Sequence, residues 1–221
     1  MFRNYIARSR YTIVIFFSIF ISFFAAAAYG FASNSYHVKP GASSEEIMAI
    51  VQKMKPGDTL YFQPGLYKIK ETISIREKSE ITIAGQKGSE VVLDKKDAVV
   101  FYISRSDNIV IRGMKARHEE PIHPGEFCTA GVLIISYSHD ILVENMELNG
   151  SGTHGVEIAS STSVTVRKSY LHHNSVAALG LYNPVDNILI QNIKADNNPK
   201  FVDTNIFDLE AVVTFKNNKV K

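Results

Sequence analysis

Apolar and polar residues alternate along this chain in short bursts rather than in long helical stripes. Four bursts superpose when Ile109, Ile141, Val164 and Ile188 are aligned: Asn108-Ile-Val-Ile-Arg-Gly, Asp140-Ile-Leu-Val-Glu-Asn, Ser163-Val-Thr-Val-Arg-Lys and Asn187-Ile-Leu-Ile-Gln-Asn. Ser79-Glu-Ile-Thr-Ile-Ala-Gly joins them with Ile81 in register, and Val213-Thr-Phe-Lys-Asn extends the series to a sixth member. The register positions are spaced 28, 32, 23, 24 and 25 residues apart, so the unit is about 23 residues with insertions in the early intervals. Each register residue and the one two later are apolar, which is strand alternation with one face inward. Two residues further on stand Gly85, Gly113, Asn145, Lys168 and Asn192, and four of these five tolerate the left-handed backbone of a sharp corner. A second inward stretch follows each corner, and another short strand precedes each burst over 99–103, 132–135, 155–158 and 179–181.

A fixed repeat of three short strands and three turns predicts a solenoid. No single unit can bury its inner face, but stacked units pair every strand with its counterpart above and below. The fold class expected is all-β: a right-handed parallel β-helix of five or six coils over 59–221. A β-sandwich also has short alternating strands but does not require the same corner residue at each repeat.

The front of the repeat region carries a helix signal. Ser43 stands three before Glu46 as a capping box, and Ile47, Ile50, Val51 and Met54 fall on one face before Pro56-Gly57. Residues 33–58 therefore read as a linker and an amphipathic helix that caps the first coil.

Composition changes the picture mainly through the first 32 residues. Arg3, Arg8 and Arg10 precede an apolar run from Tyr11 to Ala28, followed by small residues and a polar stretch, the layout of a secretory signal peptide. A retained membrane anchor is the alternative, and the membrane would be met only through that leader. The chain of 221 residues has a net charge of +2, but the leader holds three Arg and no acid, leaving 21 basic and 22 acidic residues. No Lys/Arg run suggests a nucleic-acid face. Cys128 is the single cysteine, so no intramolecular disulfide is available to an exported chain, and burial with backbone pairing must stabilise it. The expected location is the periplasm or the cell exterior.

Pro56-Gly-Asp-Thr-Leu-Tyr-Phe-Gln-Pro-Gly-Leu-Tyr67, then Thr72-Ile-Ser-Ile75 and Ser79 to Gly85, resembles the opening of pectate-lyase-like proteins, and the later repeats resemble their β-helix region. The resemblance implies a right-handed coil and an acidic-polysaccharide or cell-envelope context. It implies no activity, because lyases, hydrolases, epimerases and non-catalytic proteins share the scaffold. The Asn-Thr-Asp, paired-Asp and Asp-Pro-His-Asp signatures of relatives are absent, and Gly152-Thr-His-Gly155 only faintly matches a Gly-His-Gly element.

Register arithmetic also predicts a polar ladder. Eight and nine residues past each register position stand Arg117-His118, Asn149-Gly150, His172-His173 and Asp196-Asn197, with His154 and Asn174 nearby. The largest insertion leaves from that edge with Glu119, Glu120, His123, Glu126 and Cys128. Tyr182, beside Asn183-Pro184, could stack on a sugar ring. Three chemistries stay open. In the first, a lyase or epimerase site, His172 or His173 is the base and Arg117 neutralises a uronate carboxylate. In the second, paired carboxylates from Glu119, Glu120, Glu126 and Glu157 hydrolyse a glycoside. In the third, His118, His123, His172 or His173 binds a metal, although no strong ligand spacing supports one and a divalent cation is not indicated. Solvated turns alone would also be rich in His and Asn, and Glu157 reads as a solvated face residue. The function expected is polysaccharide binding or modification; the alternatives are a non-catalytic envelope or carbohydrate-binding module, or the remnant of a longer enzyme. The stretch 213–221 looks like a coil begun and not finished, whose edge a partner or further coils would cover.

Overall fold

The computed structural model describes residues 33–123, 130–206 and 211–221. The leader expected over 1–32, Glu126 and Cys128 lie outside the described residues.

Backbone pairing stacks the alternating bursts into three columns of parallel strands. The register column holds β1 (Ser35–Val38), β2 (Thr59–Phe62), β5 (Thr82–Gly85), β8 (Asp107–Arg112), β11 (His139–Glu144), the second half of β13 (His154–Arg167), β16 (Ile188–Gln191) and β19 (Val213–Lys216). The preceding-strand column holds β4 (Ile73–Arg76), β7 (Phe101–Ser104), β10 (Leu133–Ser136), the first half of β13, β15 (Ala177–Asp186) and β18 (Lys200–Thr204). The column after the corner holds β3 (Gly65–Ile69), β6 (Ser89–Leu93), β9 (Lys115–His118), β12 (Glu147–Asn149), β14 (Tyr170–His172), β17 (Lys194–Asp196) and β20 (Lys219–Val220). The fold is the all-β parallel β-helix that the repeat predicts.

The register is the one read from the repeat. Ile141 pairs with Ile109 below and Val164 above, and Ile188 pairs with Val213. The inward residues of all three columns, among them Ile83, Ile111, Val143, Leu148, Ile158 and Leu171, are fully buried and form one continuous core. The coil count differs from expectation: among the described residues the column after the corner has seven strands, against five or six coils expected. The additional coil is the first. Its β2 pairs with β5 through Leu60 and Ile83, which puts Asp58 where later coils carry an aliphatic register residue. Asp58 is buried there because its carboxylate accepts from the backbone N–H groups of Asn34 (2.7 Å) and Lys55 (2.8 Å).

The segment read as linker contains β1, which adds a strand beside β2. Helix α1 (Ser44–Lys53) follows, with the Ser43–Glu46 capping box formed and Ile47, Val51 and Met54 buried in the core. Lys78 Nζ donates to the Gln52 and Met54 carbonyls at its C-terminal end, where carbonyls lack helical partners. Among the described residues no helix is long and apolar enough to cross a membrane.

The corners follow the left-handed rule with one correction. Gly113, Asn145, Lys168, Asn192 and Asn217 all have φ between 52° and 78°. Lys168 takes this geometry in spite of its side chain, while its ammonium reaches Glu144 Oε1 at 3.1 Å. Gly85 is not left-handed; glycine is needed there for room. A Cβ on Gly85 would lie 2.5 Å from Met114 Cβ and 2.9 Å from the Gly113 carbonyl, and one on Gly113 would lie 2.7 Å from the Gly85 carbonyl. The two corners stack backbone on backbone.

Gly113→Ala should therefore cost about 1–3 kcal/mol through its left-handed angle and the collision combined. At about 2–4 °C per kcal/mol for a chain of this size, the thermal midpoint should fall by several degrees. Gly85→Ala should lower it as well, through collision alone. A Gly85→Ala midpoint equal to that of the parent protein would contradict the close approach.

Candidate functional site

The polar ladder forms in register on the outer face of the column after the corner. Arg117 pairs with Asn149, Asn149 with His172, and His172 with Asp196. Three of these four side chains, Arg117, His172 and Asp196, are already engaged within the protein. Arg117 donates from Nε to Glu90 Oε1 at 2.6 Å and from Nη1 to the His118 and Glu119 carbonyls at 3.0 and 3.3 Å. Its Nε and Nη1 donors are thus engaged within the protein, so the neutralising role expected of Arg117 would need these contacts exchanged for a carboxylate. His172 stacks on Tyr170 at 4.1 Å, its Nε2 lies 3.3 Å from Glu147 Oε1, and its Nδ1 lies 2.7 Å from His173 Nδ1. His173, with φ 53°, is one of the left-handed corners, in line with Gly150 and Asn197. The base role expected of His172 or His173 thus falls on a pair held by each other and by Glu147. Asp196 accepts from the Tyr170 hydroxyl at 3.1 Å. Asn149 is buried, and its Nδ2 has no hydrogen-bond partner among the described residues.

Other expected binding residues are taken inward. Asn174 is buried: its Oδ1 accepts from Ser151 Oγ at 2.9 Å, and its Nδ2 donates to Asn198 Oδ1 at 3.0 Å. The side chain belongs to an internal amide ladder, so the substrate contact expected of it would require that ladder to open. His118 is likewise buried, its Nε2 3.3 Å from the Gly131 carbonyl. In the insertion, Glu119 pairs with Lys68 and the exposed Glu120 with Lys96 at 3.2 Å. His123 helps line a small hollow with Pro121, His173 and Asn174. Among the described residues the one group with ligand-like spacing is Asp107, His139 and Asp140, solvated residues with His139 Nδ1 3.5 and 3.3 Å from the two carboxylates.

The structure brings His154 and Tyr182 together on a different face, the outer side of β13, β15 and β18. His154 is only 5% exposed. Its Nδ1 lies 3.3 Å from Glu157 Oε2, and its Nε2 lies 3.2 Å from the Tyr182 hydroxyl. Tyr182 donates to Asp203 Oδ2 at 2.8 Å, and Asp203 Oδ1 accepts from Lys200 Nζ at 2.9 Å. The rung register builds the cluster, since Glu157 pairs with Gly180 and Gly180 with Asp203. Gly180 between them makes the room: a Cβ there would lie 2.9 Å from Tyr182 Cε2 and 3.0 Å from the His154 ring. Burial and the Asp203 carboxylate push the Tyr182 phenol well above its ordinary value. Lys200 and Tyr182 hold the Asp203 carboxyl below its own.

Asp203 and Lys200 were missed from sequence, and Glu157 was read as a solvated residue although it faces His154. The signal for Asp203 was the rung spacing itself, Glu157 to Gly180 to Asp203. It was masked because Phe201 and Val202 in β18 are only partly buried and look unlike a core strand.

A family model of the right handed β-helix region matches residues 69–220. The chain belongs to that family of β-helix proteins. No curated protein matches it in sequence. Among solved structures, it is similar to a candidate glycosyl hydrolase from Parabacteroides merdae (TM-score 0.67, 13% identity, 84% of this chain and 97% of the other). It is similar also to an alginate lyase from Paenibacillus sp. (TM-score 0.56, 10% identity, 74% and 65%) and to a pectate lyase (TM-score 0.55, 18% identity, 84% and 58%). It spans 37% of the ORF18 protein of Geobacillus virus E2, at TM-score 0.60 and 15% identity over 79% of this chain. At these identities the likeness is one of fold.

Two histidines on this wall make stability depend on pH. Burial holds His118 and His172 below the ordinary imidazole value, although the Gly131 carbonyl and Glu147 pull the other way. The folded state therefore binds fewer protons than the unfolded one. Their contribution is complete above about pH 6.5 and is lost as pH falls through that value toward the folded pKa. The thermal midpoint should drop between about pH 7 and 5, above the range where most carboxylates titrate. His118→Gln should flatten part of that drop; an equally steep profile in the variant would contradict the assignment.

Proposed function

We propose that this protein binds an acidic polysaccharide across the outer face of β13, β15 and β18 and cleaves it by β-elimination at His154 and Tyr182. The observation that carries this reading is the chain of hydrogen bonds from Glu157 through His154 and Tyr182 to Asp203, ending on Lys200. Two proteins of the same fold are named for lyase action on alginate and pectate, which makes polyuronates the first substrates to test.

Each residue has a definable part. His154 Nδ1 faces Glu157 and Nε2 faces the Tyr182 hydroxyl, whose one proton goes to Asp203 Oδ2 at rest and can turn to His154 Nε2. The Tyr182 oxygen takes the proton at C5 of the uronate while its own proton passes to His154 Nε2. The C4–O bond then breaks, its electron pair goes to the leaving oxygen, which takes up the proton held on His154 Nε2, and a C4=C5 double bond forms. In this reading the Lys200 ammonium supplies the cation for the charge developing on the uronate carboxylate. Asp203 keeps Tyr182 protonated and oriented until substrate arrives. Such polymers are met outside the cell, where the leader expected over 1–32 would deliver the chain.

The test is release of unsaturated product from alginate and polygalacturonate, followed by ultraviolet absorbance. His154→Ala and Tyr182→Phe should each lower the rate by about 10²–10⁴-fold, the usual worth of a positioned proton-transfer group. His172→Ala should leave most of it. Polymer binding without product in the parent protein would favour a non-catalytic binding module and contradict the mechanism.

A further inference from the structure

Along the corners of Gly113, Asn145, Lys168 and Asn192 runs an open trough of about 670 Å³ that the chemistry at His154 does not use. One side chain per rung projects into it. Glu90, Lys115, Glu147, Tyr170 and Lys194 occupy one in-register outward column, each paired through its strand with the next. Five rungs at about 4.8 Å per step give a track about 19 Å long. Lys87 and Lys168 line the corner side, and Met114 and Met146 are the apolar part of the lining. The trough thus holds four lysines against two glutamates. Lys115 lies 3.3 Å from Glu147 and 3.7 Å from Glu90, so cation and carboxylate alternate along the track. Lys194 stands 3.8 Å over the Tyr170 ring with about half of its side chain exposed.

We infer that this trough is a second, non-catalytic binding track for an extended acidic glycan. The inference rests on the polysaccharide reading above, and deepens it by adding a separate site of attachment. An excess of lysine on the track attracts a polyanion, and covering those ammonium groups with a neutral chain would desolvate them without return. The interleaved glutamates select against a densely charged polymer: duplex nucleic acid carries one charge per about 1.7 Å, and Glu90 and Glu147 would face phosphates. A polyuronate offers both partners, carboxylates for Lys115 and Lys194 and hydroxyls for the glutamates to accept from. An extended glycan also advances per sugar by nearly the spacing of the rungs, so successive sugars meet successive side chains.

The experiment is electrophoresis of the protein through native gels with and without embedded polygalacturonate or alginate, for the parent protein, the double variant Lys115→Gln/Lys194→Gln and His154→Ala. The parent and His154→Ala should be retarded by the polyuronate. The lysine variant should lose about tenfold in apparent affinity, the order expected for two charge contacts. All these side chains are solvated, so circular dichroism of the variant should match the parent. Retardation unchanged in the lysine variant would place binding elsewhere and overturn the track while leaving the His154 reading intact. No retardation of the parent would overturn the track whatever product assays show. Retardation by embedded duplex DNA equal to that by polyuronate would overturn the assignment of ligand class.

Discussion

The structure depends on one constraint: each rung must pair its backbone with the next at a single register in all three columns. That pairing satisfies the peptide groups and superposes the aliphatic residues of successive coils into continuous inward stacks. A slip of one residue would turn a whole inward stack outward, so the register is strongly specified. The corners are where the constraint is met locally. Gly113, Asn145, Lys168 and Asn192 accept left-handed geometry because the chain must turn there on every rung. Gly85 shows the same demand in another form, as close contact between corners rather than an unusual angle.

The same register decides what stands outside. Outward side chains inherit the rung spacing, so polar residues far apart in sequence become neighbours in a column. Glu157 and Asp203 are brought to flank His154 and Tyr182 in this way, with Gly180 between them leaving the gap into which the ring and the phenol fit. On the other outward face, the identical spacing lines up alternating lysines and glutamates. One scaffold therefore supplies a buried, hydrogen-bonded His–Tyr cluster on one side and a solvated row of charges on another.

Much of this was legible in the sequence, for a physical reason. The repeat is short and its pairing local, so aligning Ile109 with Ile141, Val164 and Ile188 predicts the strand partners, the corners and the Arg117–Asn149–His172–Asp196 column. Legibility failed where a side chain broke the repeat's chemistry. Asp58 kept the first coil out of the aligned register series, although its strands fall within the 59–221 read as β-helix, since a buried carboxylate satisfied by N–H groups does not look like a core position. Half-exposed β18 hid Asp203. Arg117 looked free because its partner Glu90 lies 27 residues earlier, beyond a corner of different length. Periodicity places a side chain on a face; it does not say which neighbour claims its hydrogen bonds.

The central claim is that His154 and Tyr182 together form the place where an acidic sugar meets the protein. Nitrogen-15 NMR of histidine-labelled protein tests it most directly, with and without a short oligo-uronate. The account predicts a hydrogen on His154 Nδ1 in the free protein and a marked shift of the Nε2 resonance when the oligomer is added. A His154 signal unmoved by a saturating oligomer that demonstrably binds would contradict it.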